Sequence, residues 1–324
     1  MIDRSPPKRS LPDLIQPDNR FKYKVPVETF IEYFNVTNDE VKGALIRYPT
    51  LCYLLGNVTD QPQGEDLRPD GIQRKIYYLT EGSAMFNLEK PDDAMRWKGI
   101  FNHIVGSARQ VYWLATKLKK ITSEQKQRFA ELGFDFSFFD QINPELLRNF
   151  MFTSHAGRRI TDETDWHKLE NEPHGEIDSG KATAELLKKL KADPVYLELM
   201  RVEMHADHLT QAGKNNFFPN IIDNILTYCD WTFGQKPNTL EERFTALEKS
   251  KRASPEVLAI LKECGLSFEL ALKQVLGENI WQEMTSAGPY EWETEIRQAY
   301  CAPSGLSLQE VFPGYLEQFP QVKQ

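Results

Sequence analysis

Apolar residues recur at three- and four-residue steps along most of the chain, which is the spacing of one face of an α-helix. The longest such pattern lies in residues 92–120, with apolar positions from Ile100 to Leu118. Further helical patterns span residues 122–132, 144–152, 180–191, 194–211, 218–231, 239–250, 254–263, 268–275, 277–284 and 290–300. Few windows show the strict alternation of a half-buried strand. The sequence therefore predicts an all-α fold, a compact bundle of many helices.

The regions before and after the central helices are predicted to form a flexible arm and two further helical regions. Residues 1–20 contain four prolines and mixed charge, which predicts a flexible arm. Residues 21–95 are predicted to form an N-terminal helical region with candidate helices at 27–34 and 38–56. In the second of these, Asn38 suits the N-cap and Gly56 suits the C-terminal stop. Residues 251–324 are predicted to form a C-terminal helical extension.

Composition narrows the functional classes. The chain has 324 residues, of which 40% are hydrophobic and 27% charged, as in soluble globular proteins. Its net charge of −8 argues against a dedicated DNA-binding protein, and no apolar run approaches the roughly 20 residues needed to span a membrane. The N-terminus lacks the apolar core of a secretory signal. The four cysteines are widely spaced, so we expect reduced thiols and a cytoplasmic location.

The candidate chemistry lies in the histidines and one aspartate. All six histidines fall between residues 103 and 208: His103, His155, His167, His174, His205 and His208. Imidazole is a common metal ligand and a general base near neutral pH. His103 borders the apolar stripe of one predicted helix, His155 ends a second, and Asp230 ends a third at the edge of its buried stripe. Side chains from three helices can meet in a bundle core, where helical proteins build metal sites.

Each of these residues also has a purely structural interpretation. His103 could bond a backbone carbonyl at the edge of the core. His155 could cap the C-terminus of its helix, where a positive charge is favoured. Asp230 could pair with Arg243, since a buried carboxylate needs a cation, a metal or hydrogen-bond donors. Taken one at a time, the residues leave both interpretations open.

Together, these positions resemble the HD-domain superfamily of metal-dependent phosphohydrolases. The family pattern is a His on a first helix, a His-Asp pair at the end of a second, and an Asp on a later one. His103 resembles the first of these, residues 154–159 (SHAGRR) the second, and residues 228–231 (YCDW) the third. The similarity covers an HD-like core at residues 96–250, flanked by the helical extensions.

Other segments extend the similarity. Residues 238–244 (NTLEERF) resemble a stretch that commonly follows the last aspartate, and His205 or His208 resembles an additional His that some members use. The latter pair could equally form one solvated helix face. The resemblance implies that His103, His155 and Asp230 bind one or two divalent metal ions, drawn from Mn, Mg, Fe, Zn, Co and Ni.

Position 156 departs from the family pattern. Ala156 stands where the family has the Asp of its doublet, and alanine offers no donor atom. An introduced substitution or a natural decay into a binding module would explain it. Alternatively, nearby groups could supply the missing ligand, namely Asp162, Glu163, Asp165 and His167, although such a charge run is more often a solvated loop. Metal occupancy is therefore expected to be low and the chain weakly active or inactive.

The resemblance implies hydrolysis of a nucleotide or another phosphate ester. In that mechanism the metal polarises a phosphoryl oxygen and activates a water. Arg158 and Arg159 could stabilise the developing negative charge, or they could be a surface pair. The weaker candidates for phosphate contacts are Lys181, Lys214 and Arg109.

Two alternatives compete with the hydrolase. The first is a catalytically inactive HD-like scaffold that binds a nucleotide or a protein partner, with residues 21–95 and 251–324 as interaction surfaces. The second is a helical protein without HD ancestry. Neither a specific substrate nor an oligomeric state is predicted.

Overall fold

The computed structural model describes residues 31, 38–48, 100–155, 180, 183–184, 187–188, 194–203, 218–234, 236–250, 255–302, 307–312, 315 and 319. Their regular structure is entirely helical and no strand occurs among them, so the predicted all-α fold is confirmed. The α-helices are α1 (Asp39–Arg47), α2 (Ile100–Leu118), α3 (Ser123–Glu131), α4 (Pro144–Thr153), α5 (Pro194–Leu199), α6 (Ile221–Trp231), α7 (Leu240–Ser250), α8 (Pro255–Leu276), α9 (Ile280–Ser286), α10 (Glu291–Cys301) and α11 (Leu308–Val311). Two 3-10 turns lie at Phe139–Gln141 and Met200–Glu203. None of the described helices has the length and apolar character needed to cross a membrane.

Helix α2 is the centre of the described bundle. Its predicted apolar stripe is buried, with Phe101, Val105 and Ala108 fully inaccessible to solvent. It packs against α4 and α6, and α9 covers a further part of its surface. Because α2 contacts both α4 and α6, the helices that lead to His155 and Asp230 lie next to the helix that carries His103.

The helices that deliver His155 and Asp230 begin at asparagine caps. Asn143 accepts a hydrogen bond from the backbone N–H of Glu145, and Pro144 occupies the first helical position, where its missing N–H costs nothing. Asn220 caps α6 in the same way through the N–H of Ile222. Such caps fix where each helix starts.

Helix α1 is shorter than the sequence pattern suggests. Asn38 caps it as predicted, accepting from the N–H groups of Glu40 and Val41, but the helix ends at Arg47 instead of near Gly56. The next residue, Tyr48, has φ −126° and ψ 73°, outside the helical region. Its neighbour in the sequence is Pro49, and a residue before proline is disfavoured in the α conformation.

Two other boundaries differ from expectation. Patterns at 254–263 and 268–275 suggest two helices, whereas α8 runs unbroken through Gly265. A Cβ there would come within 3.1–3.2 Å of the side chains of Leu240 and Trp231, so the glycine permits close helix packing and does not mark a break. The helix expected at 194–211 is α5 followed by a 3-10 turn that ends at Glu203, and residues 204–211 lie outside the described part.

The segments on either side of the predicted core pack against it or against each other. Helix α8 contacts α6, α7 and α3, and α10 contacts α1 and α11. The described parts of residues 21–95 and 251–324 are thus helical, and α8 shares a hydrophobic core with α6.

Candidate metal centre

Three side chains from three helices converge. His103 lies in the first turn of α2, His155 follows the C-cap of α4, and Asp230 is the penultimate residue of α6. The Nε2 atoms of His103 and His155 lie 2.9 Å and 3.8 Å from Oδ1 of Asp230. One donor atom from each residue can be chosen so that all lie within 4.8 Å of one another.

These separations match those of ligands that share one ion. Bonds of roughly 2.0–2.2 Å to a common ion place neighbouring donors about 3–4 Å apart. Oδ1 of Asp230 is buried, and none of the described groups gives it a hydrogen bond of acceptable geometry, although Nε2 of His103 is close. A buried carboxylate oxygen without a hydrogen bond is unfavourable, and a cation would remove that cost. The group of His103, His155 and Asp230 could therefore hold a metal ion.

The hydrogen bonds around the two imidazoles indicate their tautomers. Nδ1 of His103 makes a short contact with the backbone carbonyl of Phe233. A carbonyl only accepts, so Nδ1 carries the proton. The hydroxyl of Ser154 donates to the carbonyl of Met151 (3.1 Å), which leaves it an acceptor for Nδ1 of His155 at 2.9 Å. With Nδ1 protonated, each neutral ring offers an Nε2 lone pair on the side of Asp230, the arrangement of metal-bound histidines held by outer partners. A ring protonated on both nitrogens forms an ion pair with Asp230 instead.

Electrostatics favour an ionised carboxylate at this position. Burial, the largest influence, would raise the pKa of Asp230. The charge of a protonated His103 and its hydrogen bond to the carboxylate, the charge of a protonated His155 and that of Arg243 outweigh burial and hold the pKa of Asp230 well below its usual value. Asp230 is thus suited to ligate a cation.

Arg243, on α7, lies near the centre without touching the carboxylate. Its charge lowers the pKa of Asp230, yet its buried Nε has no hydrogen-bond partner within the described part of the chain. No Asp230–Arg243 ion pair within 4.0 Å occurs among the described contacts, so the interaction between the two residues is one of charge at longer range.

Arg109 does not reach the centre as a phosphate ligand would. Only 1% of its surface is exposed, and its Nε lies 3.7 Å from Oε2 of Glu293 in the core. The rings of Phe233 and Phe319 lie 5.6 Å and 4.4 Å from the guanidinium carbon. The expectation of a phosphate contact is wrong for this residue, because α10 and two aromatic rings enclose it.

The other candidate metal ligands and phosphate-binding residues lie outside the described residues, and their roles stay predictions. They are Ala156, Arg158, Arg159, His167, His174, Lys181, His205, His208, Lys214 and the acids at 162–165.

The sequence interpretation in which His103 bonds a backbone carbonyl is borne out by its contact with Phe233, whereas the contact of His155 with Ser154 was not anticipated. The Ser154 hydroxyl could have been suspected from its place next to His155. The Phe233 carbonyl has no sequence signal, because every residue carries a carbonyl and only the fold selects one.

Comparison of the chain with family models, with curated proteins and with solved structures finds no match. The likeness to HD-domain phosphohydrolases consequently rests on the motifs quoted above. The argument for a metal centre rests separately on the geometry of His103, His155 and Asp230.

Proposed function

We propose that the protein is an HD-type phosphohydrolase that binds a divalent metal ion through His103, His155 and Asp230 and acts on a nucleotide or another phosphate ester. The observation that carries this proposal is the convergence of two imidazole nitrogens, from α2 and the end of α4, on the buried Asp230 carboxylate of α6. His103, His155 and Asp230 would hold the ion, which would supply Lewis-acid polarisation of a phosphoryl group and would lower the pKa of a bound water.

The number and charge of the metal ligands determine the activity that we expect. Two neutral imidazoles and one carboxylate offset only one of the two positive charges of a divalent ion. In the HD pattern a second carboxylate comes from position 156, where this chain has Ala156. We therefore propose partial metal occupancy and slow hydrolysis. Arg158 and Arg159 are proposed to bind the phosphate of the substrate, because a dianion needs more positive charge than such a centre supplies.

One observation favours a second candidate. Because Ala156 removes a ligand, the chain could be an inactive scaffold that binds a nucleotide or a protein partner. A cytoplasmic location is proposed for either function, since Cys229 and Cys264 are free thiols.

The test compares metal content and turnover in matched variants. Protein incubated with Mn²⁺, Zn²⁺ or Fe²⁺ and freed of excess metal is analysed for bound metal and for turnover on a panel of nucleotides and phosphodiesters. Asp230→Asn should abolish binding, with Asp140→Asn as control, because Asp140 is an exposed carboxylate paired with Lys126. Ala156→Asp should raise occupancy and turnover together. Ala259→Asp adds the same charge at an exposed position of α8 and should change neither.

The outcomes separate the candidates. Full occupancy and turnover in the unaltered chain would contradict the missing-ligand argument, and an acid at 162–165 would then serve as ligand. Stoichiometric metal without turnover in Ala156→Asp would leave a metal centre but remove the hydrolase. If neither the unaltered chain nor Ala156→Asp binds metal, the scaffold is favoured.

A further inference from the structure

One face of α2 carries three residues that contact a single turn. His103, Gly106 and Gln110 are spaced by three and four positions and so share a face of the helix. Each meets the turn that follows α6. Nδ1 of His103 bonds the Phe233 carbonyl, Gly106 lies under the Phe233 ring, and the Gln110 amide bonds the Thr232 hydroxyl at 3.0 Å.

We propose that this turn is a positioning element for the candidate metal centre, with Gly106 as the residue that admits it. The Phe233 carbonyl in this turn accepts a hydrogen bond from Nδ1 of His103 and so keeps the proton on that nitrogen. The lone pair of Nε2 is thereby held toward Asp230. This inference rests on the proposed function only where it concerns metal affinity. The tautomer itself can be measured without metal.

The turn is held firmly enough for this role. The N–H of Asn238 donates to the carbonyl of Thr232 (2.9 Å), and the N–H of Gly234 donates to that of Lys236 (3.0 Å). The Thr232 N–H continues the α6 pattern by bonding the Tyr228 carbonyl at 2.9 Å. The Phe233 carbonyl is consequently fixed relative to α6, the helix that carries Asp230.

Gly106 is required by the packing of the Phe233 ring. A Cβ at position 106 would overlap the ring edge, far inside van der Waals contact. The ring is buried, and the Arg109 guanidinium lies 5.6 Å from its centre. Gly106→Ala must therefore shift the ring together with the turn, which moves the carbonyl away from His103.

The experiment reads the tautomer and the metal affinity separately. Ring ¹⁵N shifts of His103, assigned by their loss in His103→Gln, are recorded without metal at about pH 8, above the ordinary imidazole pKa. The unaltered protein should show a protonated Nδ1 and a bare Nε2, and Gly106→Ala should show a mixture of tautomers. Zn²⁺ affinity, measured by competition with a chromophoric chelator, should fall by about 10- to 100-fold, the usual effect of losing an outer partner of a metal-bound histidine.

Two further variants distinguish positioning from general damage. Gly43→Ala makes the same change in α1, where the nearest atom to the new Cβ is the flexible end of Arg47 at 3.2 Å, so tautomer and affinity should be unchanged. The double variant Gly106→Ala/Phe233→Leu replaces the ring by a smaller side chain and keeps the carbonyl. It should recover the single tautomer and most of the affinity.

The results test the positioning role of the turn separately from the proposed hydrolase function. A protonated Nε2 in the unaltered protein overturns it, even if Gly106→Ala does not fold. Unchanged tautomer and Zn²⁺ affinity in folded Gly106→Ala also overturn it, while the metal centre stands. A single tautomer that Gly106→Ala loses, without Zn²⁺ binding by the unaltered protein, supports the positioning role and contradicts the proposed function.

Discussion

A carboxylate buried between two arginines provides a sharp test of the core. Glu293 on α10 is fully inaccessible to solvent. Its Oε1 accepts from Nε of Arg297 at 3.2 Å, and its Oε2 lies 3.7 Å from Nε of Arg109, too far for a hydrogen bond. Arg297 also donates to Asn102 through Nη1 at 2.8 Å. One negative charge thus offsets two buried positive charges, and Glu293→Gln would leave both arginines without a carboxylate partner among the described residues, with aromatic rings against their guanidinium groups.

The distances give the size of the effect. With an effective dielectric constant of about 20, each contact contributes about 4–5 kcal/mol of attraction. Relaxation recovers part of this, and removing one partner of a buried pair costs about 3–5 kcal/mol. Burial, the largest influence, lowers the pKa of Arg109, and Glu293 opposes that shift. We therefore expect Glu293→Gln to lower the free energy of unfolding by about 3–5 kcal/mol, a large share of the usual 5–15 kcal/mol for a domain.

The assay is urea unfolding followed by circular dichroism, with Glu291→Gln as the matched control. Glu291 lies in the first turn of the same helix and is exposed, so its loss should cost about 0.3–1 kcal/mol. If Glu293→Gln costs no more than Glu291→Gln, the reasoning is refuted, and the two arginines must find compensation that the described contacts do not contain.

Three further predictions concern local contacts. Thr122→Ala removes a capping box at the start of α3 and should lower the free energy of unfolding by about 1 kcal/mol in urea, with Thr122→Ser retaining most of it. Burial raises the pKa values of Cys264 and Cys301 to about 12, so mass spectrometry after iodoacetamide treatment at about pH 8 should find both unmodified until the protein unfolds. Hydrogen bonds from Ser307 lower the pKa of Glu310, so its stabilising contribution is present above the unfolded-state pKa and is lost as pH falls through the lower folded value. Ser307→Ala removes the hydroxyl bond and keeps the backbone N–H bond, so it should flatten only part of that acid dependence in urea titrations between about pH 6 and pH 3.

Helix positions were the most predictable part of the fold, because they depend on local spacing. The stripe from Ile100 to Leu118 marks α2 correctly, and the caps Asn38 and Asn143 lie where local chemistry favours them. The role of Gly265 could not be predicted from the sequence. A glycine can end a helix or allow another helix to pack closely, and which of the two occurs depends on the residues that pack against it.

The convergence of His103, His155 and Asp230 was predictable for the same reason. Each lies at or near a helix end, and short connections in a bundle bring such ends together. Arg109 shows the limit of this reasoning. Its sequence neighbours do not reveal that Glu293, far along the chain, lies within 3.7 Å of it in the core. Long-range ionic pairing leaves no periodic signal, whereas apolar burial does.

The arrangement of protons at the centre bears on whether a metal ion or a simple ion pair explains it. With both imidazoles protonated at Nδ1, two Nε2 lone pairs face a carboxylate oxygen that also carries lone pairs. This is repulsive unless a cation, either a proton or a metal ion, compensates it. A proton on Nε2 of His103 would point at Oδ1 of Asp230 in a well-aligned hydrogen bond. The 2.9 Å separation of these two atoms fits such a charged pair, and it also fits two ligands of one ion. A protonated His103 would hold the pKa of Asp230 low, so the metal content of the unaltered protein is the measurement that distinguishes the two cations.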